Sequence, residues 1–501
     1  MILSTAFLLV YFSFFSSYNI TGKQIKNGLG AKMKNKRNTI LNVLIGVVIF
    51  AVVAFLLPKN HFSREAAIAL ATLAVMVYWW ITRPVHIAVT ALLPIVINSV
   101  FSITPMGDVL ANYFSPIVVL LIGSNVLIAC WIYSGLDRRI ALKSLSIIGT
   151  GVKKQLLIWF LLSTILSMFL PNAVVAASLC PIAAAMVQFS TGEEEGVSQS
   201  KTLYLILIAI VWGAGLGGFG TPLGGAMNLV AINHIESMTG EEYMYITWTL
   251  KMLPYLSILA VGTCVYLLLI KTQNKRLLGS KEYFVGEYKK MGKAKRSEKI
   301  SLVLFIIAVL LAFTRPLYQN LLPEFKPFYG FLLMGSLAFF LNGEKGKKLI
   351  TWDFAVKKIN WGLIILFSGG LAVGKLIIST GAAGSIAGIV ASLSGTNIFV
   401  IILLFVFLGM FLANASSNTA ATAVLVPIVI TITISLGLEA MPYIYIAAAA
   451  CNCAYILPTS IRAIPVGFGL DVNYMFNKGL IAVVISFALL SIAAYANILL
   501  F

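Results

Sequence analysis

Residues 171–182 read P-N-A-V-V-A-A-S-L-C-P-I, and residues 417–428 read S-N-T-A-A-T-A-V-L-V-P-I. The two stretches align at an offset of 418 − 172 = 246, which also relates Gly123 to Gly369, Gly135 to Gly381 and Pro181 to Pro427. The turn S-G-L-D-R-R-I at 134–140 matches T-G-A-A-G-S-I at 380–386 in the same register. A fixed offset of this kind marks an internal repeat. Each stretch interrupts an apolar region too long for one membrane crossing, 155–190 and 397–436. The interruptions are Pro171-Asn172 in the first region and Asn414 to Thr419 in the second. Two half-length helices meeting at a polar tip follow from this, a re-entrant hairpin. Irregular backbone at that depth survives only where protein buries it or water reaches it.

The rest of the chain is membrane-spanning. Of 501 residues, 60% are hydrophobic and 11% charged, more apolar surface than a soluble chain hides. The apolar stretches run for about 15 to 25 residues, near the ~20 that cross a hydrocarbon core as helix. Strict two-residue alternation is missing, which excludes a barrel. The sequence therefore predicts an all-α polytopic membrane protein with about eleven transmembrane helices plus two re-entrant hairpins in two inverted repeats. The crossings fall roughly at 40–57, 65–82, 86–104, 113–134, 202–235, 250–270, 300–317, 327–341, 361–380, 441–469 and 478–500. Five of them separate the two copies, an odd number, so the second copy is inverted. Inverted repeats with broken helices mark secondary transporters, whose site lies at the repeat interface near the midplane.

The expected organisation is an N-terminal segment and basic stretch at 1–39, scaffold helices at 40–112, and first-repeat transport elements at 113–235 with the hairpin 155–190. Scaffold helices and a basic loop, 271–299, follow at 236–360. Second-repeat transport elements occupy 361–469 with the hairpin 397–436, and a last scaffold helix fills 470–501. Met1 to Tyr18 is apolar but has neither a basic leader nor a small-residue cleavage site, and reads as a weak extra segment.

A formal charge of +19 suggests nucleic acid at first sight, but the basic residues lie in loops rather than on one basic and aromatic face. Topology explains them: alternating sides from the Lys23 to Arg37 stretch puts about 29 of the 36 Lys and Arg inside and about 5 outside. The loop Lys271 to Lys299 alone holds ten basic and three acidic residues. The protein is thus expected in the plasma membrane, multi-pass, its basic N-terminal segment cytoplasmic and its C-terminus outside. Membrane lipid is an expected partner and nucleic acid is not. Cys130, Cys180, Cys264, Cys451 and Cys453 lie in or beside apolar stretches without a spaced Cys/His cluster, which suits packing rather than a disulfide framework or zinc. All 17 acidic residues fall in loops or termini, leaving no carboxylate relay and no acid pair for catalysis. With His61 in a loop and His86 and His234 near span ends, an enzyme is not expected.

The core instead offers amides, hydroxyls and glycines. At a hairpin tip the first N–H groups of the outgoing helix are unpaired and the helix dipole is positive, a fit for a carboxylate. Asn172 and Ser417-Asn418-Thr419 add side-chain donors; the plainer reading is that they only cap helices. Each hairpin is followed by a second interrupted segment, G-G-F-G-T-P-L-G-G-A-M-N at 217–228 and I-L-P-T-S-I-R-A-I-P-V-G-F-G at 456–469. Unwound backbone there exposes carbonyls that can coordinate Na⁺, unless the glycines serve packing alone.

From about residue 65 onward the chain resembles the divalent-anion:sodium symporter family of INDY-type dicarboxylate transporters. The resemblance rests on the Ser417-Asn418-Thr419 tip, on Gly217 to Thr221 with Asn228, and on the turn from Ser134. It implies a homodimer of protomers with a static scaffold and an elevator-like transport domain, carrying di- or tricarboxylates or sulfate with Na⁺. It places Asn172, Ala173, Thr221, Pro222, Ser417, Asn418 and Thr419 at the substrate, and Arg462, which the family lacks, is expected beside them. Ser167, Asn172 and Gly220 would mark one sodium site, and Ser416 and Asn418 the second. No other cofactor is implied. The chain departs from the family in Pro171-Asn172-Ala173, which lacks two hydroxyls, in Ala413, and in Ser460 to Pro465, where S-I-R-A-I-P replaces A-T-P-P-N-A.

Arg462 thereby falls where the second sodium would bind. A guanidinium there would substitute for the ion, since it does not deprotonate and balances a dianion. The empty carrier, holding an unpaired cation, would cross poorly, so exchange would follow. The alternatives are a sodium-coupled di- or tricarboxylate or sulfate symporter of the same fold, an Arg462 that snorkels to water, and a channel. Lys375, close to a span end, is expected to snorkel.

Overall fold

The computed structural model describes residues 28–57, 62–146, 149–191, 200–272, 274–382 and 397–500. The Met1 to Tyr18 segment and His61 lie outside them. The elements that position the site are α1 (Gly28–Leu56), α2 (Arg64–Thr82), α3 (Pro116–Ser134), α4 (Val152–Ser167), α5 (Asn172–Thr191), α6 (Lys201–Gly217), α7 (Ala226–Thr239) and α8 (Tyr245–Leu269). They continue with α9 (Arg296–Phe313), α10 (Pro327–Leu337), α11 (Trp361–Ser379), α12 (Ile398–Ala415), α13 (Asn418–Ser435), α14 (Ala440–Ala450) and α15 (Val472–Leu500). Among the described residues nine helices are long and apolar enough to cross a membrane. The all-α polytopic architecture is therefore present.

The α4–α5 and α12–α13 pairs are the two hairpins. Both outer ends of the first rest on one segment: Val152 N donates to Lys275 O at 3.1 Å, Gln155 Nε2 to Ser280 Oγ at 2.9 Å, and the Phe189 ring packs 5.3 Å from that of Tyr283. The chain thus folds back on itself at Pro171. In the second pair, a Cβ on Gly409 would stand 3.2 Å from Leu425 Cδ2. Gly409 precedes Ser416 by seven residues and Leu425 follows Ser417 by eight, so the arms run side by side from the break. The arms are not half-length, as the sequence suggested. With 16 and 20 residues in the first pair and 18 and 18 in the second, they reach about 24 to 30 Å at 1.5 Å per residue. In the first pair the regular helix begins at Val152, in the polar flank that the apolar boundary at 155 missed, whereas the second pair stays within 397–436.

The repeat is visible in three dimensions. Gly135 and Gly381 end their helices with φ of 80° and 68°, the left-handed conformation that a Cβ disfavours. Gly123 and Gly369 each receive a neighbour's backbone: an added Cβ would lie 2.6 Å from Leu332 N in the first case and 2.2 Å from Ala91 O in the second. Each half therefore docks its α3 or α11 helix onto elements of the other half. A second apolar cluster shows the same exchange, since it gathers Trp80, Ala91 and Val109 with Leu366 and Val373 of α11. The helix α11 also touches the second hairpin, since a Cβ on Gly370 would lie 2.7 Å from Ala423 Cβ, so it packs against both the elements read as scaffold and a hairpin arm.

Two buried Arg–Glu pairs pin the ends of α9. Arg139 Nε meets Glu298 Oε2 at 2.6 Å near its start, and Arg315 forms a two-pronged pair with Glu242, both bonds 2.9 Å, just past its end. The Arg315 guanidinium and backbone carbonyls of Leu322 and Pro323 complete that site, so neither charge is left without partners. Lys375 does not simply reach for water. Its ammonium lies 3.8 Å from Asp108, both about half exposed.

Small residues let α4 and α6 touch along their backbones. A Cβ at Gly217 would fall 2.0 Å from Thr164 O, whereas at Gly215 the nearest atom is 3.8 Å away. Gly217→Ala should therefore force the helices apart and lower the thermal unfolding midpoint of the purified protein, a loss of about 1–3 kcal/mol. Gly215→Ala should leave the midpoint within error, and equal effects of the two would contradict the packing described.

Candidate functional site

The two tips open into one cavity of about 680 Å³. Pro171, Asn172 and Ala173 line it from the first hairpin, and Ser416 through Ala420 line it from the second. Gly225 to Met227 and Ser460, Ile461 and Ile464 come from the two unwound segments, and Trp80, Arg83, His86, Asn360 and Leu363 close the opposite wall. Asn172, Ala173, Ser416, Ser417, Asn418 and Thr419 are thus brought together as the sequence predicted. The helices α5 and α13 both begin at this space, so the positive ends of two helix dipoles face it. No aspartate or glutamate is among the lining residues; Arg83 is the fixed cation, beside three asparagines and four hydroxyl side chains. Both the formal charge and the helix dipoles favour a small anion.

The second tip is held from behind by one amide. Asn414 Oδ1 accepts from Tyr455 N at 2.9 Å and Ile456 N at 3.0 Å, while its Nδ2 donates to Met410 O at 2.7 Å and Cys453 O at 3.2 Å. It ties the end of α12 to the backbone that unwinds after α14. Ser417 Oγ caps α13 by accepting from Ala420 N at 3.2 Å, so this residue both caps the helix and faces the cavity. Asn418 Nδ2 donates to Asn452 Oδ1 at 3.1 Å, and Asn418 Oδ1 is buried without a donor.

Arg462 departs from the expected placement. It does not line the cavity, and it does not snorkel: 1% of its surface is exposed. Its guanidinium donates to Leu457 O (2.8 Å), Ala454 O (3.3 Å), Ala413 O (2.9 Å) and Thr459 Oγ1 (2.5 Å). Three carbonyls and a hydroxyl form the kind of oxygen cage that holds a hard cation. Charge-assisted bonds worth about 1.5–3 kcal/mol each offset the several kcal/mol of burying the charge. The reason for the misplacement is local: unwound carbonyls behind the tip capture the side chain before it can turn toward the cavity.

Thr221 and Pro222 are also buried behind the lining rather than in it. The Thr221 hydroxyl donates to Met168 O, and Asn228 Nδ2 donates to Gly218 O and Thr221 O, both at 2.7 Å. These residues brace the first tip. Ser167 Oγ donates to Ala214 O at 2.7 Å, and a Cβ on Gly220 would meet Leu256 Cδ2 at 2.9 Å, so both are packed behind the first tip too. Asn228 Oδ1 is buried without a donor and sits on this same carbonyl-rich loop, a position that fits a sodium ion near Ser167, Asn172 and Gly220. The second set also keeps an unpaired oxygen, Asn418 Oδ1, but its other groups are engaged. Ser416 O accepts from Arg83 at 3.4 Å, Ser416 Oγ is spent on Leu412 O, and Arg462 fills the adjoining cage. Sequence reasoning missed Arg83, His86, Asn360 and Ser460. The signal was T-R-P-V-H at 82–86, a cation and a proline between two apolar runs.

A model of the CitMHS citrate transporter family matches residues 76–450, a stretch that includes both tips and ends before Arg462. The sodium-dependent dicarboxylate transporter SdcS of Staphylococcus saprophyticus is 28% identical over 391 residues, 74% of each chain. Its namesake in Staphylococcus aureus strain NCTC 8325 is 27% identical over 393 residues, 74% of this chain and 75% of that one. Among solved structures, the Alcanivorax borkumensis YdaH transporter aligns with a TM-score of 0.46 at 14% identity, covering 77% of this chain and 86% of that chain.

Asn414→Leu would strand the N–H groups of Tyr455 and Ile456 at about 1–3 kcal/mol each. The expected result is a drop of several degrees in the unfolding midpoint measured in detergent. An unshifted midpoint would show that the amide does not hold the tip.

Proposed function

Because the chain belongs to the CitMHS citrate transporter family, which makes it a membrane transporter and not an enzyme, we propose that it carries small dicarboxylates or citrate across the plasma membrane. The observation that supports this reading is the cavity into which two helix N-termini and a fixed cation project, with no acid among its lining residues. Two separate anion-favouring tips suit a molecule with a carboxylate at each end. In this reading Asn172 and Ala173 hold one carboxylate and Ser417, Asn418 and Thr419 the other, while Thr221 and Pro222 support the first tip. The staphylococcal relatives, which are dicarboxylate transporters by name, also favour a dicarboxylate.

The hairpins α4–α5 and α12–α13, together with α6, α7 and α14, form the moving unit, re-entering the membrane and sliding elevator-fashion past a wall built on α2, α3, α10 and α11. The basic loop 271–299 and the first hairpin's outer ends, which rest on it, lie in the cytoplasm. Arg83 and Asn360 then sit at the cytoplasmic mouth, so this conformation opens inward. Apolar residues exposed on the periphery, Val48 and Phe55 of α1 among them, face lipid, and a second copy of the chain completes a homodimer.

Exchange is the favoured mode. Arg462 stands in its oxygen cage as a permanent substitute for a sodium ion, so the empty carrier holds a cation that only the substrate dianion balances. In proteoliposomes, internal dicarboxylate should accelerate uptake of external dicarboxylate by about tenfold or more, a coupling of about 1.4 kcal/mol or more, and replacing Na⁺ with K⁺ should leave that rate nearly unchanged. Arg462→Ala should abolish exchange. A second reading, sodium-coupled symport, is favoured by the unpaired Asn228 Oδ1 and by the sodium dependence in the relatives' names. It would replace the first if a Na⁺ gradient drove uptake into empty vesicles as fast as exchange.

A further inference from the structure

Arg83 is the C-cap of α2, with φ 49° and ψ 49°, and its N–H closes the helix on Trp79 O at 2.8 Å. A side chain bearing a Cβ is strained in this conformation. Of the four non-glycine residues with positive φ among the described residues, Arg83 and Ser460 both line the cavity, so the strain gathers at the site. Pro84 follows directly and limits the backbone further. The indole of Trp80 donates to Ile87 O at 3.2 Å, closing the loop across its base. The guanidinium is thus presented by a stiff loop that belongs to the wall, not to either hairpin.

Its own bonding leaves it available. The described residues place no acid within ion-pair distance, and its one hydrogen bond runs from Nη2 to Ser416 O at a long 3.4 Å. Two parallel donors of a planar guanidinium match the two oxygens of a carboxylate, and a carboxylate is the stronger acceptor. Arg462 does not serve in that role, because it does not line the cavity and four of its five N–H donors are spent on oxygens behind the tip. His86, the other titratable side chain on the lining, accepts from Ala88 N at 3.3 Å through Nδ1.

We propose that Arg83 is a substrate-binding and specificity-determining residue, taking the carboxylate at the second tip in a two-pronged bond shared with Ser417, Asn418 and Thr419. The assignment rests on the carboxylate reading of the cavity. It makes the bound dianion a bridge between the wall and the tip. Arg83 then selects for a second negative charge: a monocarboxylate held at the first tip by Asn172 would not reach it.

The test is equilibrium binding of radiolabelled succinate to the full-length chain in lipid nanodiscs, with butyrate as competitor. Arg83→Gln should weaken succinate binding about tenfold or more, as expected for loss of a charge-assisted pair, while butyrate competition changes little. Arg83→Lys should recover only part of the succinate affinity, since an ammonium keeps the charge but cannot make the two-pronged bond, and the ligand-free unfolding midpoints of both variants should match the parent. Unchanged succinate affinity in Arg83→Gln would overturn the assignment, as would parallel loss of succinate and butyrate with a lowered midpoint. If the unsubstituted chain bound neither succinate nor citrate, the carboxylate reading itself would fall, and this assignment with it.

Discussion

A helix that stops inside a hydrocarbon layer leaves backbone N–H and C=O groups that no water can satisfy, and this constraint shapes the centre of the molecule. At each broken segment one side chain absorbs the cost. Asn228 caps two carbonyls of the first unwound loop. Asn414 pairs with four backbone groups at the second, and Arg462 takes up three further carbonyls there. At the starts of α5 and α13, Pro171 O and Ser417 Oγ take the N–H groups of Val174 and Ala420, and the positive ends of both helices face the cavity. The same chemistry that makes the breaks tolerable therefore leaves positive helix ends where an anion can reach them.

The two halves satisfy the constraint differently. In the first, neutral amides and hydroxyls do the work: Thr221 on Met168, Ser167 on Ala214, and Asn228 across the loop. One amide oxygen, Asn228 Oδ1, is left over there, as Asn418 Oδ1 is in the second half. In the second, a guanidinium carries much of the load. The repeat preserves where the chain breaks and lets the solution at each break diverge.

Much of this was legible in sequence because it is one-dimensional. The offset of 246 residues located both tips, and Asn172, Ser417, Asn418 and Thr419 do meet at one cavity. Gly123 and Gly369 were visible as matched positions too, although the backbones that fill them come from distant segments. What escaped depended on side-chain direction and on unlike elements packing together. Arg462 was placed correctly along the chain yet points the other way, because carbonyls of Ala454 and Leu457 lie closer than the cavity. Thr221 likewise turned inward to Met168. Arg83 escaped because it belongs to a short connection whose neighbours are hundreds of residues away, Ser416 above all. Which backbones fill the glycine faces of α3 and α11 was hidden for the same reason, since only packing shows it.

A sodium ion and a guanidinium in the same oxygen cage are equivalent in charge but not in thermodynamics. An ion that binds from one side and leaves on the other connects the carrier to the gradient of that ion. A side chain never leaves, so it contributes electrostatic attraction without any link to a gradient. On the proposed reading the second half gives up one possible coupling ion and gains a fixed penalty for moving empty. The first half keeps an oxygen with no donor, Asn228 Oδ1, on a loop rich in carbonyls. Whether that oxygen meets a sodium ion decides how much external driving force the carrier can use. The opposing anion, balancing Arg462 from across the tip, decides whether it can move at all.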